Sequence, residues 1–320
     1  MHTIVMYRTG AKYRTSESNR QRGVALITVL LVFVLVAVIA TEMLRRSQLS
    51  LRSVGNLIET RQAYYYALGG EAYARQVLAK DIIDGHGDTD TLNEPWAQTK
   101  DQQPLEIDNG SMQIEINDLQ GRFNLNSVTD PVGIDHFKRL LQALQLNPNC
   151  ASEWQRWIST TSQQQSGDEN SDSAAVLTAG QPEADISALR LLHSMQPQDY
   201  AKLAPHVAVL PSDRDSGPPK ININTAEDVV LQAIMSPTLS AQIVAKQKSG
   251  GYTHVADAGV DESVAAVNSK FFEVVVTVNY ANRWQRVRTV LQREHVTTSD
   301  QVKFTVISRV RSPLIDDLEF

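Results

Sequence analysis

Seven histidines and a single cysteine are the residues of this 320-residue chain best suited to catalysis or soft-metal binding, and their spacing supports neither. The two nearest histidines, His193 and His206, lie 13 residues apart. Cys150 stands alone, so an intramolecular disulfide and a cysteine zinc site are both excluded. The chain contains no P-loop, G-x-G-x-x-G, H-E-x-x-H or G-x-S-x-G pattern, and no nucleophile, base and orienting group are grouped in it. Catalysis is therefore not expected. A net charge of -6 and a pI near 5.7 also oppose general nucleic-acid binding, which requires clustered positive charge to displace counterions. The informative chemistry is a junction, Arg20-Gln21-Arg22-Gly23-Val24-Ala25-Leu26, where a basic patch and a glycine abut an apolar run.

Positioning that junction is the work of one element. Residues 24 to 41 (VALITVLLVFVLVAVIAT) carry no charge. At about 1.5 Å per residue they nearly span a hydrocarbon core of about 30 Å. Arg8, Lys12, Arg14, Arg20 and Arg22 precede the run, while Arg45, Arg46 and Arg52 follow it, so the positive-inside bias places the N-terminus in the cytoplasm. Two simpler readings compete. One is a cleaved secretory signal with Val38-Ile39-Ala40 at the cut, although its apolar region is normally only about 7–15 residues long. The other is a generic single-span anchor. No proline occurs between Val24 and Glu94, and apolar residues recur at helical spacing through Leu51, Val54, Ile58, Tyr65, Leu68 and Ala72. The helix is expected to run to about residue 80, with Gly55, Gly69 and Gly70 as weak points.

Turn formers crowd 85–90 and 93–101. Met112, Ile114 and Ile116 then alternate with polar residues as in a half-buried strand, and Asp118-Leu119-Gln120-Gly121-Arg122-Phe123-Asn124-Leu125-Asn126 reads as its hairpin partner. Residues 134 to 158 have helical spacing. Ser159 to Ser173 contains no apolar residue, cannot offset its ordering entropy by burial, and reads as a mobile loop. Helical spacing returns over 186–210. Lys220-Ile221-Asn222-Ile223-Asn224-Thr225-Ala226 follows, with Thr225 as the expected N-cap of a helix over 226–235 and a second helix near 240–248. This pair is similar to a helix-hairpin-helix unit, but its hairpin, Ser236-Pro237-Thr238-Leu239, lacks glycine, and only Lys246 and Lys248 are basic nearby. Three β-rich runs, 271–280, 284–292 and 302–310, with turn-prone Ala281-Asn282 between the first two, predict an antiparallel meander.

The Gly23 junction, D-x-x-G-R-F-N-L-N at Asp118 to Asn126, and I-N-I-N-T-A at Ile221 to Ala226 together resemble the K-type minor pseudopilins of bacterial type II secretion systems. The resemblance implies an α+β fold: a long N-terminal transmembrane helix, a pilin-type antiparallel sheet and an inserted all-α, SAM-like or helix-hairpin-helix-like domain. The expected division is a prepilin leader at 1–23, the N-terminal helix at 24–80 spanning the membrane at about 24–44, a pilin-type domain from 81–126 with 271–320, an inserted helical domain at 127–219 and a second SAM-like unit at 220–270. It further implies cleavage by prepilin peptidase between Gly23 and Val24, leaving Val24 as the mature, methylated N-terminus. The fifth mature position, usually glutamate in pilins, is Thr28 here, and K subunits characteristically lack that glutamate. The implied partners are minor pseudopilins I and J at a fibre tip, other pseudopilins and the inner-membrane assembly platform, with no nucleic acid. Family members can bind calcium after W-x-x-W-I, but Ser159-Thr160-Thr161 stands where the acids would be. Asp168, Glu169 and Asp172, with Asn170, are the candidate replacement ligands, although the acidic stretch reads first as a solvated loop; no other cofactor is expected. The alternative from another class is a membrane-anchored DNA-uptake receptor that uses the helix-hairpin-helix unit.

Overall fold

The structure is a computed structural model and describes residues 17–163, 185–212, 217–296 and 301–312. The chain divides into two compact units, residues 1–59 and 60–320. Helix α1 (Glu17–Asp81) runs through 65 residues without a proline. Within the first unit it contains an 18-residue window of mean hydropathy 3.1, long and apolar enough to cross a membrane. Glu42 pairs with Arg45 and Arg46 at 3.1 and 2.9 Å, at helical i,i+3 and i,i+4 spacing, where the apolar run ends.

In the second unit α1 contributes a stripe at three- and four-residue spacing: Ala63, Ala67, Ala74 and Leu78 are all fully buried. The small side chains let the helix lie close on a sheet. A Cβ at Gly70 would stand 2.7 Å from Val276 Cγ1, so glycine is required there by proximity. Tyr64 and Tyr66 of the tyrosine run pack on the same face, and Tyr65 remains exposed. The helix ends in a π-turn (Ile82–His86) in which Gly85 takes φ +90°.

The sheet is antiparallel, in the order β1 (Leu105–Ile107), β2 (Gly110–Asp118), β7 (Phe271–Tyr280), β8 (Arg283–Val296) and β9 (Gln301–Ser312). The predicted meander is present, and Ala281 and Asn282 both take positive φ, the backbone of a tight two-residue hairpin turn. In β7 the residues from Phe271 to Val276 are buried without alternation, because this central strand is covered on both faces.

Between β2 and β7 the chain builds a second hydrophobic core. Its elements are β3 (Phe123–Asn124), α2 (Pro131–Ala143), α3 (Asn149–Gln163), α4 (Pro197–Leu203), β4 (Val207–Ala208), β5 (Ile221–Asn222), α5 (Asp228–Ile234), α6 (Pro237–Gln247) and β6 (Ala265–Ala266). Phe123 stacks on Phe137 at 5.6 Å, and the buried Trp154 donates through Nε1 to the Leu125 carbonyl at 2.9 Å. Leu203, Leu231 and Ile243 join the same cluster, so segments 127–219 and 220–270 bury their side chains together.

Several local expectations are corrected. Residues 118–126 do not return as a hairpin: β2 pairs with β1 and β7, and β3 instead pairs in parallel with β4. Asp118 turns the chain by accepting from the Gln120 N–H at 2.8 Å, which ends the strand. Helix α3 continues to Gln163, past the last apolar residue, because Trp154 and Ala151 already anchor it. The helical region after 186 closes in a short strand, β4. Thr225 caps nothing: α5 begins at Asp228 after Glu227, and the Thr225 hydroxyl is engaged elsewhere.

Candidate functional site

Two regions carry the residues singled out by sequence. In the first unit, Gly23 and Val24 lie within α1, and the Thr28 hydroxyl donates to the Ala25 carbonyl at 2.9 Å. That bond satisfies the hydroxyl inside its own helix and leaves the position uncharged. The large side chains from Val24 to Ile39 are each between 52% and 69% exposed. An unbroken apolar surface of that length is stable only in lipid or against other apolar helices.

In the second unit the structure unites the two asparagine-bearing motifs. The Asp118 carboxylate, buried on β2, accepts from the Thr225 hydroxyl at 2.6 Å, from Asn222 Nδ2 at 3.0 Å and from the Ser269 hydroxyl at 2.6 Å. Burial pushes its carboxyl above the ordinary aspartate range, although the bonds from Ser269, Thr225, the Gln120 N–H and Asn222 oppose that shift. A Cβ on Gly121 would stand 2.9 Å from Thr225 Oγ1 and 3.1 Å from its carbonyl oxygen. The remaining asparagines act as latches. Asn124 accepts from the Leu210 N–H at 3.0 Å and donates to its carbonyl at 3.3 Å, which Asn126 also reaches at 3.1 Å. Asn224 does the same for Tyr252, accepting at 2.8 Å and donating at 2.9 Å. These side chains complete backbone hydrogen bonds that burial would otherwise leave unsatisfied.

Sequence reasoning missed a neighbouring cluster. Arg293 on β8 donates to Asp81 at 3.1 Å and to Asp90 at 2.5 Å, with its guanidinium 4.5 Å from the centre of the Phe272 ring. Glu94 accepts from Trp96 Nε1 at 2.6 Å and from the N–H and hydroxyl of Thr91, both at 3.0 Å. Oxygens of Asp81, Asp90 and Glu94 lie within 4.8 Å of one another, and Arg293 already supplies positive charge among them. No signal in the sequence pointed here, because Arg293 is 212 positions from Asp81 and 203 from Asp90, and no short window contains both charges.

The thiol of Cys150 accepts from Ser194 Oγ at 3.0 Å, and Ser194 also approaches Glu153 at 2.8 Å. Burial pushes that thiol above its ordinary range, the opposite of an activated nucleophile. The helix-hairpin-helix pair is formed by α5 and α6. Ser236 caps α6, Pro237 removes a donor at its first turn, and Lys246 and Lys248 stand at the far, C-terminal end of that helix. The calcium candidates Asp168, Glu169 and Asp172 lie outside the described residues.

Residues 121–212 match the family model described as type II secretion system (T2SS), protein K. The chain is 32% identical over 304 residues to type II secretion system protein K of Pseudomonas aeruginosa, covering 85% of this chain and 89% of that protein. It is 28% identical over 313 residues to the Klebsiella pneumoniae protein of the same name, covering 87% and 94%. Among solved structures, the GspK-GspI-GspJ complex of the enterotoxigenic Escherichia coli type 2 secretion system contains a chain of similar fold. The TM-score is 0.63 at 22% identity, over 81% of this chain and 98% of that one.

Proposed function

The chain belongs to the protein K family of type II secretion systems and is a minor pseudopilin, and we propose that it ends the pseudopilus as a tip subunit in complex with minor pseudopilins I and J. The observation that carries this reading is architectural. A pilin-type pairing of α1 with an antiparallel sheet has a second, independently cored body spliced between its strands β2 and β7. Stacking a further subunit above such a body is sterically opposed, and Thr28 offers no carboxylate to a neighbour's N-terminal ammonium. Both features favour a cap. The solved relative whose name includes GspI and GspJ supports the choice of partners.

In this reading residues 1–23 are a leader removed by prepilin peptidase and Val24 is the methylated mature N-terminus. The helix is anchored in the inner membrane at about 24–44, with the N-terminus cytoplasmic and the bulk of the chain periplasmic, where it meets other pseudopilins and the assembly platform. The pilin-type domain comprises 81–126 with 271–320, and the segments 127–219 and 220–270 between them share one hydrophobic core. A catalytic role is not assigned, and nucleic acid is not among the partners.

The test is twofold. The N-terminal residue of the protein purified from native-host membranes is expected to be Val24, whereas Thr41 would indicate a secreted soluble protein and overturn the reading. Co-expression with I and J from the same host is expected to yield a ternary complex, and failure of either to co-purify would remove the tip assignment.

A further inference from the structure

The cluster around Arg293 contains more buried acid than base. Asp81 from the end of α1, and Asp90 and Glu94 from the stretch that follows it, are 6%, 0% and 9% exposed, against one guanidinium that is 4% exposed. A fourth carboxylate, Asp118 of β2, is joined to Asp90 through Ser269, whose N–H donates to Asp90 at 2.7 Å while its hydroxyl donates to Asp118 at 2.6 Å. From β8 comes Arg293, from the segment before β7 comes Ser269, and from 220–226 come the neutral donors Asn222 and Thr225. Ionised carboxylates in excess of their counter-charge are not sustained in so dry a place; they take up protons instead.

Asp90 is also the structural centre of the cluster. Its N–H donates to the Val267 carbonyl at 2.9 Å, its own carbonyl accepts from Asn222 at 3.1 Å, and its carboxylate accepts from Ser269 and Arg293. The stretch that follows α1 is thereby tied at one residue to the sheet and to the helical body.

We propose that Asp90, Glu94 and Arg293 form a proton-linked clasp, which holds residues 88–97 against the sheet and the helical body only while the carboxylates in excess over Arg293 are protonated. Burial raises both groups to about 7, opposed for Asp90 by Arg293 and for Glu94 by Trp96. The sign follows from linkage. Groups raised on folding stabilise the folded chain fully at pH below their unfolded values, and that stabilisation is lost as pH rises to about 7. The clasp is therefore tight in mild acid and loose in mild alkali.

The experiment is thermal unfolding of the full chain in detergent micelles with a chelator present, followed by tryptophan fluorescence from about pH 5 to about pH 9. Wild type is expected to unfold several degrees lower at about pH 8 than at about pH 5. Asp90→Asn and Glu94→Gln remove the titration but turn one accepting oxygen into a donor facing Ser269, Arg293, Thr91 or Trp96, so each is expected to lie below wild type at the acid end and to flatten the profile. Amide exchange of 88–97, corrected for the intrinsic pH effect, is expected to accelerate in wild type alone. A wild-type midpoint that is constant or rising with pH would overturn the clasp, as would variants that keep the wild-type slope.

Discussion

Asp118 and Thr225 lie 107 positions apart in the chain and share a 2.6 Å hydrogen bond at the junction of sheet and helical body. Removing the carboxylate leaves four buried donors, Thr225, Asn222, Ser269 and the Gln120 N–H, without this common acceptor. Asp118→Ala is expected to destabilise the chain by about 2–4 kcal/mol, since unsatisfied buried groups cost more than the bonds gained. Urea unfolding of the full chain in detergent checks it, and Thr225→Val should cost less, because only one donor is lost.

Gly121 is held to a glycine by the same junction. Gly121→Ala places a methyl carbon 2.9 Å from the Thr225 hydroxyl and 3.1 Å from its carbonyl, forcing the two motifs apart. The expected loss is about 1–3 kcal/mol. In combination with Thr225→Val the effects should be non-additive, because both act at one contact.

Glu71 sits within the buried stripe of α1, where Arg309 grips it at 2.8 and 2.7 Å and Thr289 donates at 2.8 Å. Burial works to raise its carboxyl, but the bonds from Arg309 and Thr289 and the charges of Arg309 and Arg75 outweigh it, so the group titrates below the ordinary glutamate value. A depressed group stabilises above its unfolded value and loses that effect as pH falls through the folded one. Glu71→Gln should cost about 1–3 kcal/mol near neutrality and little below about pH 3. Unfolding midpoints across that range read the difference, whose sign is opposite to that of the Arg293 clasp.

Thr28→Glu restores a carboxylate at the fifth mature position. Combined with deletion of residues 127–270 it is expected to permit longer fibres and altered subunit order, measured by electron microscopy and crosslinking in a secreting strain. Unchanged fibre length and order would defeat the capping argument.

Calcium is expected to release measurable heat on titration into the full chain in detergent if Asp168, Glu169 and Asp172 replace the family's ligands. Changing all three to alanine should abolish that heat. No heat at millimolar calcium would exclude the site.

The elements set by local physics were legible from the chain alone. The apolar run from Val24 to Thr41, the proline-free helix beyond it, the Ala281-Asn282 turn with its flanking strands, and the helices around Phe137 and Trp154 all follow from periodicity, charge and turn chemistry within short windows. Tertiary structure decided what those windows do not contain. Asp118 to Asn126 alternates well enough for a hairpin, but β7 satisfies β2 from 154 to 170 residues away, and the asparagines of both motifs became latches for distant backbone. Thr225 has the chemistry of a helix cap, and a buried carboxylate took its hydroxyl instead. Arg293 lies just past the β-rich run read at 284–292, and only the fold closes Asp81 and Asp90 around it. The physical reason is common to all three: a buried polar group must find its partner wherever the fold brings one, and that partner is chosen by proximity in space, which sequence spacing does not encode.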